Sequence, residues 1–357
     1  MRPTLQTVAD AVGVSRSTVS NAYGRPDQLS PDLRERILEK ARQLGYSGPD
    51  PNARSLRRGR VGAIGVLFTA SLSYAFTDPY AVQFLRGLAE SAQEQEAGLL
   101  LVPQSLEDQD AAVGAVKNAV VDGFCVYCMP DWHPSLDAIQ ARGLPIVSGQ
   151  LRRNDGPDTL YVGVDEAGST RLAGEHITRL GHRRVAVVAD YLSLEPFTGP
   201  VELSTPDDVP YFLSRERLRG YHDALRAAGI DWATVATVGA AANSREAGAA
   251  AAAHVLDRAP RPTAVVAITD LLALGVLDAL AARGLRPGHD VSVVGFDDIP
   301  QAAAAHLTTV RQPAVERGRV TGRLLFNPPT EPADRHVVLP TELIVRASTG
   351  PAPTGSD

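Results

Sequence analysis

Apolar segments alternate with alanine-rich segments along most of the chain after residue 60. The apolar runs, rich in β-branched residues, occupy residues 62–68, 98–103, 124–129, 145–148, 184–189, 264–269 and 291–296. Helical stretches lie between them, for example at 80–95, 168–180, 217–228 and 271–283. Strands that alternate with helices form parallel, doubly wound sheets, which bind ligands at the carboxyl ends of their strands. The 297 residues after position 60 are enough for two such packed cores.

The first residues of the chain have a different pattern. Segment 4–23, TLQTVADAVGVSRSTVSNAY, predicts two short helices that begin at the caps Thr4 and Ser15 and are joined by a turn at Gly13. Val19 and Ala22 of the second helix face inward, and its outer face carries short polar groups and one arginine: Arg16, Ser17, Thr18, Ser20 and Asn21. Such a face suits a helix that lies in the DNA major groove, as in a helix-turn-helix. An ordinary helical hairpin is the alternative.

A third helix completes this small region. Ser30 is the predicted cap, Pro31 occupies the first turn, and apolar residues at helical spacing continue to about Leu44, before Gly45. Residues 1–60 contain eleven Lys and Arg against six Asp and Glu, a net charge of +5. Because the whole chain carries −6, the remaining residues carry −11. This asymmetry is typical of a protein that contacts phosphate with one end only.

A linker follows the three predicted helices. It opens with Gly48-Pro49, and its later part alternates arginines with a single apolar Leu56. This later part is long enough for two helical turns, which fold only when docked. In DNA, the arginines would contact phosphates while Leu56 enters the minor groove as a wedge between base pairs. A solvated linker is the alternative.

Motifs of enzymes and exported proteins are missing from the sequence. It has no GxGxxG, Walker, GxSxG or HExxH motif, and no signal peptide or transmembrane run. Cys125 and Cys128 form a single CxxC in a strand-like run, where we expect buried thiols rather than a redox or zinc site. The histidines have no partners at metal-ligand spacing. We therefore expect a cytoplasmic, non-enzymatic protein without a metal or cofactor.

The chain resembles the lactose-repressor (LacI/GalR) family of bacterial transcription regulators. The resemblance rests on TLQTVADAVGVSRSTVSNAY, ARSL, LGHRRVAVVAD, SRERLRGYHDAL, ITDLLALGVLDAL, VSVVGFDD, LTTVRQP and LPTELIVRAST, in this order. It implies an all-α helix-turn-helix domain with a hinge helix, followed by an α/β periplasmic-binding-protein-like core of two subdomains. The implied boundaries are 1–47 for the DNA-binding domain, 48–60 for linker and hinge, 61–349 for the core, and 350–357 for a disordered tail. Within the core, residues 61–162 with 314–340 and residues 163–313 with 341–349 form the subdomains.

DNA contacts are expected from the second helix and the hinge. Arg16, Ser17 and Asn21 are placed for base edges. Phosphate contacts are expected from the helix caps and nearby hydroxyls: Thr4, Ser15, Thr18, Ser20 and Ser30. The hinge residues expected at the DNA are Asn52, Ala53, Arg54, Leu56 and Arg57.

An effector site between the subdomains is implied by the resemblance. Arg217 matches the arginine that grips the effector, and Asp297 matches an acid that accepts hydrogen bonds from it. Thr69 and Thr269 match small polar positions, whereas Gln150 replaces an Asp that many members carry. An aromatic wall is expected from Tyr127 with Tyr74, Phe76 or Tyr80. Segment 190–214 precedes Arg217 and is interpreted as a lid or a disordered surface loop.

These features together predict a homodimeric repressor that binds a pseudo-palindromic operator in double-stranded DNA and responds to a small molecule, expected to be a sugar. A nucleoside- or purine-responsive regulator of the same family is the first alternative. A sugar-binding protein that does not bind DNA is the second. Residues 350–357 lack heptad leucines, which disfavours a tetramer built on a C-terminal coiled coil.

Overall fold

A computed structural model describes residues 3–48, 60–68, 72–151 and 159–353. The chain divides into two compact units, Met1–Gly62 and Ala63–Asp357. Several predicted site residues lie outside the described residues: Asn52, Ala53, Arg54, Leu56, Arg57 and Thr69.

Within residues 3–48, the first unit contains three α-helices, as the sequence predicts. They are α1 (Leu5–Val12), α2 (Arg16–Gly24) and α3 (Pro31–Gln43), with a 3₁₀ turn at Pro26–Gln28. Gly13 ends α1 with φ 75°, a left-handed conformation that costs a glycine little. This residue allows the chain to turn sharply into α2.

The core of the first unit is small and mostly aliphatic. Val19 and Ala22 are fully buried, which confirms the predicted inner face of α2. They pack with Val8 of α1 and Ile37 of α3. The outer face of α2 is therefore left to the polar side chains.

The second unit contains two larger sheets. The first has six parallel strands in the order β12-β5-β4-β3-β1-β2. These are β1 (Ala63–Phe68), β2 (Gly98–Pro103), β3 (Gly123–Cys128), β4 (Ile146–Ser148), β5 (Leu160–Val164) and β12 (His336–Leu339).

The second sheet has the order β10-β9-β6-β8-β7, and it is parallel except for β7, which runs antiparallel to β8. Its strands are β6 (Val185–Asp190), β7 (Gly199–Val201), β8 (Ala236–Ala240), β9 (Ala264–Ala267) and β10 (Ser292–Val294). A separate antiparallel pair joins β11 (Thr309–Arg311) to β13 (Glu342–Ile344).

Helices separate the strands along the chain in both parts of this unit. They are α4 (Tyr74–Thr77), α5 (Pro79–Glu94), α6 (Gln109–Asn118), α7 (Ser135–Gln140), α8 (Glu166–Arg179), α9 (Phe212–Ala227), α10 (Arg245–Leu256), α11 (Asp270–Ala281), α12 (Pro300–Ala304) and α13 (Ala314–Phe326). The chain leaves the first sheet after β5, returns through α13 to β12, and leaves again into β13. Three segments thus connect two doubly wound halves, which agrees with the predicted fold class.

Two parts of the chain are more ordered than the sequence predicts. Segment 190–214 contains β7 and a 3₁₀ turn at Pro206–Asp208, so the interpretation as a disordered loop is wrong. The backbone N–H of Ala352 donates to the Leu180 carbonyl at 2.8 Å, and the Gly350 carbonyl lies 3.0 Å from His182 Nε2. A disordered tail that begins at residue 350 is therefore also wrong. These hydrogen bonds fix the chain beyond β13 against the end of α8.

Within the described ranges, every helix is too short or too polar to cross a membrane.

Helices α5 and α13 approach each other closely at two glycines. A Cβ atom added to Gly318 would lie 2.1 Å from the Phe84 carbonyl oxygen, and one added to Gly87 would lie 1.8 Å from the Val315 carbonyl oxygen. By contrast, a Cβ atom on Gly114 of α6 would meet nothing within 4 Å. The two helices can therefore cross at this distance only without side chains at Gly87 and Gly318.

The same glycine-to-alanine change should have opposite effects at these sites. We expect Gly318→Ala to lower the free energy of unfolding by about 1–3 kcal/mol, because the added methyl group overpacks the helix crossing. Gly114→Ala should raise it by roughly 0.5–1 kcal/mol, because alanine favours the helix and its methyl group would meet no neighbouring atom here. Urea unfolding followed by circular dichroism measures both changes. Equal effects in the two variants would contradict the close crossing.

Candidate functional sites

The outer face of α2 is one candidate site. The Ser15 hydroxyl accepts a hydrogen bond from the Thr18 backbone N–H at 3.1 Å, which caps the helix. Arg16 and Ser17 are exposed, and Ser20 and Asn21 are half-buried. The Asn21 amide nitrogen donates to Gln28 Oε1 at 3.1 Å. The face therefore presents one long cation among short hydroxyl and amide groups.

The predicted phosphate contacts include all three helix caps of the first unit. Thr4 caps α1 in a reciprocal arrangement with Thr7, and Ser30 accepts from the Leu33 backbone N–H at 3.4 Å. Each cap hydroxyl accepts a hydrogen bond from the helix through an oxygen lone pair, and its proton can be donated to a neighbouring hydroxyl or to an anion. Anions bind well at helix amino termini, where the dipole is positive.

The second candidate site is a cleft between the two halves of the second unit. It lies at the carboxyl ends of strands from both sheets, where Phe68, Cys128 and Asp190 end β1, β3 and β6. The cleft contains about 920 Å³ of atom-free space, part of it open to solvent. This is the position that the strand order favours for a ligand.

Most of the predicted effector residues come together in this cleft. The residues that line it are Tyr74, Tyr127, Gln150, Arg217, Thr269 and Asp297. Phe76 does not line it: its surface is 68% exposed, so its predicted place in the aromatic wall is wrong. In α4, Tyr74 and Phe76 are two residues apart and so point in different directions.

Arg217 lies at the centre of the polar contacts in the cleft. Its Nε donates to Glu166 Oε2 at 2.8 Å, and its Nη1 donates to the Ile268 carbonyl at 2.7 Å. The same Nη1 lies 3.9 Å from Asp297 Oδ1, and the guanidinium carbon lies 4.0 Å from the centre of the Phe296 ring. The guanidinium group therefore joins the start of α8, the end of β9 and the segment after β10.

Asp297 occupies a constrained turn after β10. Its φ of 128° lies in a region that side-chain-bearing residues rarely adopt. Gln312 Nε2 donates to its Oδ1 at 2.7 Å, and Gln312 Oε1 accepts from the Tyr80 hydroxyl at 3.1 Å. Burial raises the pKa of Asp297 well above its ordinary value, whereas the charge of Arg217 lowers it. The turn directs the carboxyl group towards both Arg217 and Gln312.

Arg317 is a second buried cation in the cleft, and the sequence analysis did not identify it. Its three donors reach the Val162 carbonyl at 3.2 Å, the Tyr80 hydroxyl at 3.1 Å and the Gly149 carbonyl at 2.8 Å. It thereby connects α13 to β5 and to the loop after β4. The residues concerned are distant in sequence, so periodicity and local motifs give no signal for these contacts.

Another set of hydrogen bonds joins the two halves across the cleft. The Tyr74 hydroxyl donates to Asp78 Oδ2 at 2.6 Å and accepts from Asn243 Nδ2 at 3.0 Å. Asn243 Oδ1 in turn accepts from the Thr269 hydroxyl at 2.7 Å. Asp78 and Asn243 were also missed by the sequence analysis. Asp78 could have been found as the cap of α5, since it directly precedes Pro79.

Aromatic rings form two groups around the cleft. The Tyr127 ring centre lies 4.6 Å from that of Phe68 and 6.4 Å from that of Tyr80. On the other side, the Tyr191 and Tyr211 ring centres are 4.9 Å apart. Tyr191 and Tyr211 belong to segment 190–214, so this segment supplies a wall of the cleft.

Two further sequence expectations are settled by these contacts. Gln150 lines the cleft, but its amide nitrogen donates to the Met129 carbonyl and to Asp131 Oδ1.

Cys125 is buried, and burial raises its pKa to about 12. Cys128 is only half-buried and lines the cleft, so the expectation of two buried thiols is wrong for it. In the ranges that the structure describes, no group of three or more His, Cys, Asp or Glu residues is placed to hold a metal ion.

Comparison with known proteins defines the class of this chain. Residues 4–49 match the lacI family of bacterial regulatory proteins, and residues 175–349 match a periplasmic binding protein-like domain. An HTH-type transcriptional regulator of Mycolicibacterium smegmatis is 42% identical over 359 residues, which cover 98% of this chain and 97% of the relative. The chain therefore belongs to the lacI family of bacterial regulatory proteins.

Solved structures agree with this assignment. A LacI family transcriptional regulator from Corynebacterium glutamicum has a TM-score of 0.74 and 34% identity, over 98% of this chain and 99% of that one. A complex of the transcriptional regulator CelR with cellobiose has a TM-score of 0.67 and 30% identity, over 97% of this chain and 100% of that one. Both similarities cover the full architecture.

The buried carboxyl group of Asp190 makes stability depend on pH. Burial raises its pKa from 3.8 to about 7, against the lowering effect of Arg217. The folded chain therefore binds this proton more tightly than the unfolded chain, so stability falls as pH rises from about 4 to about 7. Asp190→Asn removes this contribution.

The free energy of unfolding should fall between pH 5 and pH 8 in the wild type. We expect this fall to be smaller in Asp190→Asn by roughly 1–3 kcal/mol. Urea unfolding at both pH values measures the difference. Asp137→Asn, which removes an exposed carboxylate from α7, is the control and should leave it unchanged. An Asp190→Asn variant with the wild-type pH dependence would contradict the prediction.

Proposed function

We propose that this protein is a homodimeric transcriptional repressor whose affinity for a DNA operator is controlled by a neutral sugar bound in the cleft. The observation that carries the DNA-binding part is the outer face of α2. A helix that faces water usually exposes long charged side chains, whereas this one exposes Arg16 among hydroxyl and amide groups. Such groups match the donors and acceptors of the major groove.

The individual DNA contacts follow from this placement. Arg16, Ser17 and Asn21 read base edges, and Thr18 and Ser20 contact the backbone beside them. The cap hydroxyls of Thr4, Ser15 and Ser30 donate to phosphates at the helix amino termini. In the hinge, Leu56 is proposed to enter the minor groove while Arg54 and Arg57 contact phosphates beside it, and Asn52 and Ala53 are proposed to lie at the DNA as well. The net charge of +5 on residues 1–60 favours all of these contacts.

A homodimer follows from the small size of one reading surface. A single recognition helix contacts only a few base pairs, so two copies related by a twofold axis would read the two halves of a pseudo-palindromic operator. The same symmetry would place two Leu56 side chains at the centre of the operator. We accordingly propose that the operator is kinked at its central step.

The chemistry of the cleft favours a neutral ligand with several hydroxyl groups. The carboxyl groups of Asp78, Asp190 and Asp297 line it and can accept hydrogen bonds from hydroxyls. The two cations, Arg217 and Arg317, are already bonded to protein acceptors. A phosphorylated ligand would therefore lie beside three carboxyl groups, while both of these cations are engaged by protein acceptors. The aromatic rings suit the apolar faces of a sugar, and the relative CelR has been solved with cellobiose.

The nucleoside alternative is less well supported by the polar contacts. A nucleobase needs a planar pair of donor and acceptor groups at its edge. The Asn243 amide could supply such a pair, but its nitrogen bonds to Tyr74 and its oxygen to Thr269. A sugar, by contrast, can use carboxylate oxygens in many directions. We assign no reaction to the cleft.

Control of DNA binding would arise because the sugar favours one degree of closure of the cleft. Tyr74 and Asn243 join the two halves directly, and Tyr80 bonds to Gln312 in the segment between β11 and α13. A sugar hydroxyl that replaces either contact would change the free-energy difference between open and closed forms. In a dimer, that change would alter the spacing of the two hinges.

Arg16 provides the test of DNA reading. We expect Arg16→Ala to weaken binding to an operator, selected with the wild-type protein from random DNA, by about 10- to 100-fold, because a bidentate base contact is lost. Its affinity for unrelated DNA should change much less. Fluorescence anisotropy with the full-length protein at constant salt measures both affinities.

Arg36→Ala is the matched control, because Arg36 is an exposed cation of the same unit but lies on α3. It should lower the affinities for operator and unrelated DNA by the same small factor. The proposal is wrong if the wild type selects no sequence, or if Arg16→Ala keeps the wild-type ratio of the two affinities.

A further inference from the structure

We propose that the cleft continues into a second ligand subsite, here called the side pocket, which holds a second neutral sugar ring joined to the first. The side pocket is lined by Leu106 and Glu107 from the loop after β2, by residues 190–197, by Tyr211 and by residues 239–241. It contains about 1030 Å³ of atom-free space, part of it open to solvent. The proposal rests on the proposed sugar-binding function of the cleft.

The side pocket lies directly beside the cleft. Asp190, Tyr191 and Tyr211 line both the cleft and the side pocket. The paired rings of Tyr191 and Tyr211 therefore border both spaces. A ligand that extends from one space into the other would contact these rings.

One of these rings belongs to a residue with an unusual backbone conformation. Tyr191 has φ 51°, in the left-handed region that residues with a side chain rarely adopt. Its neighbour Asp190 is fixed because the Ser214 hydroxyl donates to the Asp190 carbonyl at 3.0 Å. Strained residues of this kind occur at ligand sites more often than elsewhere. The conformation places the Tyr191 ring beside Tyr211, where it borders both spaces.

Backbone pairing and side-chain contacts hold the outer wall of the side pocket in place. β7 pairs with β8 in register Gly199 to Gly239, which anchors the segment to the sheet edge. The Phe197 ring covers Gly239, since a Cβ atom there would lie 2.6 Å from the ring. The Ala241 backbone N–H donates to the Thr198 hydroxyl at 3.2 Å. These contacts hold residues 197–201 against β8 and Ala241, so the wall on this side of the side pocket is fixed.

The lining indicates what chemistry the side pocket accepts. Leu192, Leu194, Pro196 and Phe197 give it apolar faces, and among the described residues that line it none is cationic. Three of its lining residues carry carboxyl groups: Glu107, Asp190 and Glu195. An anionic group would be repelled by them, and a purely aliphatic group would leave them without hydrogen-bond donors. A pyranose ring satisfies both features, because it has apolar faces and a rim of hydroxyl donors.

Filling the side pocket tests this proposal. Ala241 is exposed and lines the side pocket but not the cleft, so Ala241→Phe should occupy the space without disturbing the core. Ala242→Phe is the matched control, because Ala242 is also exposed and lines neither space. Titration calorimetry with full-length protein would compare glucose and galactose with cellobiose, maltose, trehalose and melibiose.

In the wild type, we expect at least one disaccharide to bind about tenfold or more tightly than either monosaccharide. Ala241→Phe should reduce this advantage to about twofold or less and leave the monosaccharide Kd unchanged, whereas Ala242→Phe should keep the advantage. Leu194→Ser, an exposed change in the same pocket, should reduce it in part.

Two results would overturn the side pocket alone: monosaccharides that bind as tightly as every disaccharide, or an Ala241→Phe variant that weakens both kinds of sugar equally or neither. Absence of binding by all six sugars would instead overturn the proposed sugar class of the cleft, and the side pocket with it.

Discussion

The buried guanidinium group of Arg217 is the interaction on which the cleft depends. It is bonded to Glu166 and to the Ile268 carbonyl, lies over the Phe296 ring, and is 3.9 Å from Asp297. These partners come from segments between residues 166 and 297, so a single side chain aligns the floor of the cleft. Removal of one member of a buried ion pair typically costs about 3–5 kcal/mol, because the other charge is left unpaired. Arg217 is thus a structural requirement of the site, whether or not it also contacts a ligand.

The two halves of the second unit meet through polar groups that can change partners. Tyr80 and Gln312 connect the first half to Asp297, and Tyr74 connects it to Asn243. A packed apolar contact would resist opening more uniformly, whereas these hydroxyl and amide groups can bond equally well to a ligand or to water. The proposed function uses this property, since a sugar that replaces such contacts changes the balance between open and closed forms. Arg317 differs, because it is bonded mostly to backbone carbonyls. We therefore expect it to remain in place when the cleft opens or binds a ligand.

Local sequence signals predicted the first unit well. Gly13 and the caps Ser15 and Ser30 act through their own neighbours, so the turn and the helix starts could be recognised directly. Seven apolar runs predicted strands that the structure contains, but β5 (LYVGV) and β12 (HVVL) were not predicted. β8, with the sequence ATVGA, was missed because alanine and glycine give little strand signal. Arg217 and Asp297 came from the family resemblance and lie in the cleft. The contact between Tyr80 and Gln312 spans 232 residues, and Phe76 was misassigned because the short helix α4 turns it away from Tyr74. Both depend on three-dimensional placement that spacing does not reveal.

The central claim is that occupation of the cleft and DNA binding are thermodynamically coupled. Its most direct test uses a sugar found by thermal-shift screening, for which a tight binder raises apparent stability by a few kcal/mol at saturating excess. The operator Kd is measured with and without that sugar, and the sugar Kd is measured with and without operator. The account predicts that both affinities change by the same factor, of about fivefold or more, because coupling between two sites is reciprocal. An operator Kd that stays the same at saturating sugar would contradict it.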